Sequence, residues 1–205
     1  MALHVVVSGL EDGCKSILRF IDSDPVPYTR VPPVARAMRR SERKMNLKES
    51  EQFLKQAQVG RLGTSHKNEP YVTPLNFLYQ KDRIYFHCAR NGKKLTNLIG
   101  NKRVCFEADE FSGVKNVEEG IAACTSSTYY RSVVAFGDAR LITSSDHKKR
   151  ILEKLVAKYL HLNTQPVFDE EMLGKVTVVE IQVSQLTGKK HLQAPLASSK
   201  ASPLR

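Results

Sequence analysis

Six short stretches rich in β-branched and aromatic residues follow one another at 59–64, 71–79, 84–88, 103–108, 128–142 and 176–183, and they constrain the fold more than any other feature. The second and third are separated only by the polar Gln80-Lys81-Asp82-Arg83, which reads as a hairpin loop. A link that short has no room for a crossover helix, so these neighbours pair antiparallel. Strands adjacent in sequence, with two or three helices beside them, predict an antiparallel α+β domain rather than a doubly wound parallel sheet. Closing such a sheet into a barrel also removes its exposed edges.

The helices are legible from caps and stripes. Asn46 with Glu49 three residues on forms a capping box, and Leu47, Phe53, Leu54 and Ala57 continue it as a short amphipathic helix. Residues 145–161 carry Ile151, Leu152, Leu155, Val156, Tyr159 and Leu160 on one stripe with Lys and Glu opposite, which predicts a helix packed on the sheet.

The rest divides the chain. Residues 1–37 hold Pro25, Pro27, Pro32 and Pro33 without sustained periodicity and read as a partly disordered N-terminal extension, with Met38 as a possible alternative start. Its acids Glu11, Asp12, Asp22 and Asp24 disfavour a transit peptide. The domain is expected over 38–188, followed by a flexible basic tail over 189–205.

Charge bears on partners. The net charge is +11, but 1–45 contribute +3 and 184–205 contribute +4, so the middle that holds the fold carries only +4. A dedicated nucleic-acid face is thereby disfavoured, although Tyr71, Phe77, Tyr79, Tyr85 and Phe86 would suit one if they faced outward. Strand aromatics normally alternate into the core. No window approaches a membrane span, and there is no export-type start, so the expected setting is cytoplasmic. Cys14, Cys88, Cys105 and Cys124 are irregularly spaced, which points to reduced thiols rather than a zinc knuckle or disulfide frame, and no metal-ligand spacing is visible. Asp109, Glu110, Glu118 and Glu119 read as solvated acids around a loop at Gly113.

One segment carries ligand chemistry. Asn91-Gly92-Lys93-Lys94-Leu95-Thr96-Asn97-Leu98-Ile99 directly follows the 84–88 strand, and Leu95, Leu98 and Ile99 make it helical. Two lysines then sit at a helix start, where free amides and ammonium groups suit a phosphate monoester and Gly92 permits close approach. A solvated basic turn is the competing reading.

At this point the chain resembles the pyridoxamine-phosphate-oxidase-like, FMN-binding split barrels, and within them the nitroimidazole-reductase-like branch. The resemblance covers most of 38–188. It rests on the ordered set Val59-Gly60-Arg61-Leu62-Gly63-Thr64, Pro70-Tyr71-Val72-Thr73-Pro74-Leu75-Asn76-Phe77, Ile84-Tyr85-Phe86-His87-Cys88-Ala89, Gly92-Lys93-Lys94-Leu95 and Asn101-Lys102-Arg103-Val104-Cys105-Phe106. Tyr130-Arg131-Ser132-Val133-Val134-Ala135-Phe136-Gly137 and Thr187-Gly188-Lys189 extend it.

The resemblance implies a six-stranded split β-barrel with flanking helices. It implies FMN with its phosphate on Lys93 and Lys94, its ribityl and ring against Thr73, Pro74, Leu75, Asn76, Phe86, His87 and Cys88, and Ser132 contributing from a later strand. It also implies a homodimer whose two chains share the site. His87 matches the site histidine of that branch and is the candidate donor or proton relay, weighed against a histidine bonded within the fold. Cys88 reads as a packing residue, and Arg131 and Tyr130 as groups facing the substrate or the partner chain, weighed against the commoner role of a sheet arginine as a surface or interface ion-pair former.

The implied activity is a flavin-dependent oxidoreductase passing electrons to a small acceptor, through nitro-compound or pyridoxamine-phosphate-oxidase-like chemistry. The substrate motif of a true pyridoxamine-phosphate oxidase has no clear counterpart, since only Lys189, Lys190 and His191 follow the last strand. The alternative is a non-catalytic protein that binds flavin, deazaflavin or haem.

Overall fold

The computed structural model describes residues 38–114, 127–160 and 166–192. The N-terminal extension, Cys14, Glu118, Glu119, Cys124, His161 and the tail from 193 onward lie outside these residues. After a 3-10 turn at Ser41–Arg43 the elements are β1 (Lys44–Met45), α1 (Leu47–Gln56), β2 (Gly60–His66), β3 (Glu69–Leu75), β4 (Leu78–Gln80), β5 (Arg83–Ala89) and α2 (Lys93–Gly100). They continue with β6 (Arg103–Val114), β7 (Thr128–Ile142), α3 (Ser145–Leu160), α4 (Glu170–Lys175) and β8 (Val176–His191).

All strand pairs are antiparallel, in the order β3-β2-β6-β7-β8-β5-β4, with β1 beside β8. Hydrogen bonding leaves β3 and β4 as ends, yet the sheet curls on itself. Leu62 of β2 and Phe86 of β5 belong to one buried cluster with Phe77, Phe106, Val133 and Val179. Phe77 meets Phe106 edge-on at 4.8 Å between ring centres. Phe77, Phe86 and Phe106 are fully buried, each contributing about 1.5–3 kcal/mol over an exposed ring. A mainly antiparallel sheet with flanking helices is therefore the fold, as the sequence led us to expect.

Two hairpins set the register. Lys67 and Asn68 join β2 to β3 with φ of 53° and 63°, and Lys81 and Asp82 join β4 to β5 with φ of 50° and 58°. Two successive left-handed residues are the geometry of the tight turn whose twist matches paired strands.

The sheet has eight strands where six stretches were expected. Two-residue β1 accounts for one, and the 71–79 stretch divides at Asn76-Phe77 for the other. The division has a tertiary cause. The Tyr159 hydroxyl of α3 accepts from the Phe77 amide at 2.9 Å, and Lys158 Nζ donates to the Phe77 carbonyl at 3.0 Å. Those backbone groups are thus satisfied outside any ladder. At the other end, Lys189, Lys190 and His191 continue β8 against β7, so the expected tail boundary at 189 falls three residues inside a strand. Asp109 and Glu110 likewise sit in β6 rather than in a loop.

The capping box forms as read: Glu49 N–H donates to Asn46 Oδ1 and Asn46 N–H to Glu49 Oε2, each at 2.9 Å. A second cluster, including Tyr85, Ile151, Leu155, Leu173 and Val178, joins α3 and α4 to the outer face of β5 and β8. Leu160, expected on the buried stripe, is exposed. Among the described residues no helix is long and apolar enough to cross a membrane.

Candidate functional site

The end of β5 delivers the chain to the start of α2 through Gly92, whose φ of 120° a side-chain-bearing residue rarely adopts. Gly92 caps α2 without a side-chain acceptor, so the first amides of the helix keep their donors free of one. The helix is pinned beneath them: buried Asn97 donates to Thr64 Oγ1 at 3.0 Å, and Thr64 donates to the Tyr71 carbonyl at 3.2 Å. The helix start thus sits on a fixed base.

Its two lysines are placed differently. Lys93 forms an ion pair with Glu69 at the start of edge strand β3. Lys94 Nζ lies 5.3 Å from the centre of the Phe86 ring. His87 is exposed at its surface; partial desolvation first, and the Lys94 ammonium second, hold its imidazole below the usual histidine pKa. It is therefore neutral at neutral pH. Burial pushes the Cys88 thiol up while Lys94 opposes that shift, and Cys88 packs against the core, which suits an inert filler.

β3 supplies one polar atom with no partner. Thr73 Oγ1 is buried and has no hydrogen-bond partner among the described residues. It lies four positions from Glu69, on the same face of the strand. A hydroxyl that donates into a neighbouring ligand resolves that deficit, so the residues present fit an anionic or polyol group held between β3 and α2.

The other expected contacts vary. The Phe86 ring is fully in the core, which leaves its backbone for a ligand, and Leu75 also packs on the core while Pro74 is exposed. Asn76 donates to the Gln58 carbonyl at 3.1 Å, an anchoring role the sequence did not reveal. Ser132 stands apart. It pairs with Lys189 on β8, whereas His87 pairs with Val178, eleven positions back along that strand. The register therefore separates Ser132 from His87 along β8.

Sequence reasoning missed two features. Glu69 was detectable as the residue sharing a strand face with Thr73. The second is a cluster where the start of β2 meets the middle of β6: Arg61 bonds Glu107 at 3.0 Å and also Asp109, beside a crevice of about 400 Å3 lined by Phe53, Arg61 and Arg131. Burial raises the Glu107 pKa and the Arg61 hydrogen bond opposes it. Arg131 pairs with Glu110 and stacks 5.1 Å from the Phe53 ring centre, the ion-pair role anticipated for it.

An open-ended antiparallel barrel with flanking helices defines the class, and the sequence agrees: the chain belongs to the pyridoxamine 5'-phosphate oxidase family, whose profile matches residues 46–190. No curated protein matches it. Among solved structures it is similar to a candidate 5-nitroimidazole antibiotic resistance protein of Bacteroides thetaiotaomicron, with 26% identity over 71% of this chain and 85% of that one and a TM-score of 0.61. The flavocytochrome Anf3 of Azotobacter vinelandii has the same fold at 21% identity and a TM-score of 0.65, over 80% of this chain and 76% of that one. So has the FAD and haem binding protein of Mycobacterium smegmatis, at 16% identity and 0.66, over 76% and 77%.

Proposed function

We propose that the chain binds flavin mononucleotide and acts as a flavin-dependent oxidoreductase that passes electrons to a small acceptor such as a nitro compound. The observation that carries this reading is the unpartnered Thr73 hydroxyl on the strand that Glu69 ties to Lys93 at the start of α2. Family membership over 46–190 and the likeness to the Bacteroides protein support it.

In this reading Lys93, Lys94 and the free amides of α2 hold the phosphate, and Thr73 donates to the phosphate or ribityl chain. When bound, flavin supplies the redox chemistry, taking up a hydride and releasing electrons to the acceptor. Neutral His87 accepts or returns a proton at the acceptor through an imidazole nitrogen. Thr73, Pro74 and the backbone of 86–88 orient the ring system, and Ser132 of a second copy completes the site, making a homodimer the working unit. A cytoplasmic setting, with reduced nicotinamide nucleotides at hand, suits the activity.

Identification of the ligand that copurifies tests the cofactor, since a flavin spectrum supports it and a Soret band would replace flavin with haem. Lys93→Ala with Lys94→Ala should then weaken FMN binding at least about tenfold, from the loss of two charge-assisted contacts. Undiminished affinity would remove the phosphate assignment.

A further inference from the structure

A second basic locus lies away from the proposed flavin site, in a crevice between α3 and the β4–β5 hairpin. Its lining includes Lys81, Arg83, Tyr85, His147, Arg150 and Lys154. We propose that this crevice is a binding site for a compact anion carrying one or two phosphate groups, such as pyrophosphate or a small phosphomonoester.

Three observations converge. The first is placement: His147, Arg150, Ile151 and Lys154 follow the spacing of a single helix face, and the left-handed turn at Lys81-Asp82 brings the hairpin cations opposite them. A basic run on a helix ordinarily faces water, but here two elements aim their cations at one space.

The second is charge. No carboxylate lines the crevice. Among the described residues, Lys81, Arg150 and Lys154 have no carboxylate partner, and Lys154 instead donates to the neutral amide oxygen of Gln80 at 2.9 Å. Behind the lining, Glu180 is buried and already engaged, by Arg83 at 3.3 Å and Arg140 at 2.7 Å. Asp82 accepts from the Tyr79 hydroxyl at 3.4 Å. Like charges gathered around one crevice repel, and an anion seated among them relieves that repulsion.

The third is size. The crevice holds about 150 Å3, room for roughly five waters at ~30 Å3 each. A phosphate or pyrophosphate fits that space. Tyr85, nearly buried, closes the wall, with the His147 ring centre 6.2 Å from its own. Arginine forks and lysine point charges are together the side chains that recognise phosphate oxygens.

Titration of the full-length protein with pyrophosphate by calorimetry at low salt tests the site, alongside two double variants. Binding is expected in the parent and in Lys93→Ala with Lys94→Ala. It should weaken at least about tenfold in Arg150→Ala with Lys154→Ala, where both residues are exposed and unfolding is checked by thermal melting. Absence of binding to the parent would overturn the proposal, as would affinity that follows Lys93 and Lys94 instead. So would tighter, steeply salt-dependent binding of an oligonucleotide lost in the Arg150 and Lys154 variant, which would make the locus part of an extended polyanion surface. FMN affinity is read in the same variants and is independent of this outcome.

Discussion

The Glu180 carboxylate, buried beneath the outer face of β8, accepts from Arg140 Nε at 2.7 Å. Arg83 reaches the same oxygen at 3.3 Å, and burial together with the Glu180 hydrogen bond pushes the Tyr85 hydroxyl up to about 12. The arrangement is asymmetric because both arginines reach solvent and the carboxylate does not. Arg83→Ala with Arg140→Ala should therefore destabilise the fold by about 3 kcal/mol, leaving a buried charge unpaired. Glu180→Gln, which keeps hydrogen bonds and removes the charge, should cost about 1 kcal/mol. Urea unfolding of both variants checks the ranking.

Thr73→Val addresses the unpartnered hydroxyl directly. Replacing a buried, unsatisfied group by an isosteric apolar one should leave the ligand-free protein as stable or raise its stability by about 1 kcal/mol. Flavin affinity should fall in the same variant. Loss of stability without loss of affinity would assign Thr73 to the fold alone, as read by melting and by fluorescence titration.

Lys158 gives a pH dependence. Its ammonium donates to the Ala57 carbonyl at 2.7 Å and lies 4.3 Å from the Phe77 ring centre, and burial lowers its pKa to about 8. Between about pH 8 and the unfolded value of 10.5 the unfolded chain binds the extra proton, so this group makes stability rise with pH across that window. Denaturant midpoints measured from pH 7.5 to 10.5 should show that rise in the parent and a flatter curve in Lys158→Met.

Gly137 sits where β7 slips register against β8. A Cβ there would clash with the Gln182 carbonyl oxygen, which cannot move without shifting the ladder, and would stand 2.8 Å from Ile181 Cγ2. Gly137→Ala should cost about 1–3 kcal/mol, a loss that a chemical-denaturation midpoint would register.

Most of the sheet was legible because alternation, β-branched runs and hairpin residues are local signals. The capping box at Asn46 and the α3 stripe were legible for the same reason. The break at Phe77 was not, since its cause, Tyr159 and Lys158, lies some eighty residues away. Helix α4 escaped notice because six residues carry little periodicity, although Asp169 caps it by accepting from the Met172 amide at 2.7 Å. The placement of Lys93 and Lys94 at the start of α2 was readable from spacing, whereas His87 was singled out through the family resemblance. The anchoring of Asn76 by Gln58 and the turning inward of Phe86 depend on packing that no short window encodes.

The ion pair between Glu69 and Lys93 has a further consequence for any anion arriving at α2. Glu69 is a tethered competitor for the same ammonium, present at high local concentration and never diluted away. An incoming phosphate would compete with it for Lys93, so an affinity measured there would be a difference between two anions rather than the strength of one. Displacement also releases the only carboxylate of edge strand β3, whose Val72 is 61% exposed. An anion at the helix start would thereby be coupled to the freedom of that edge through a single side chain.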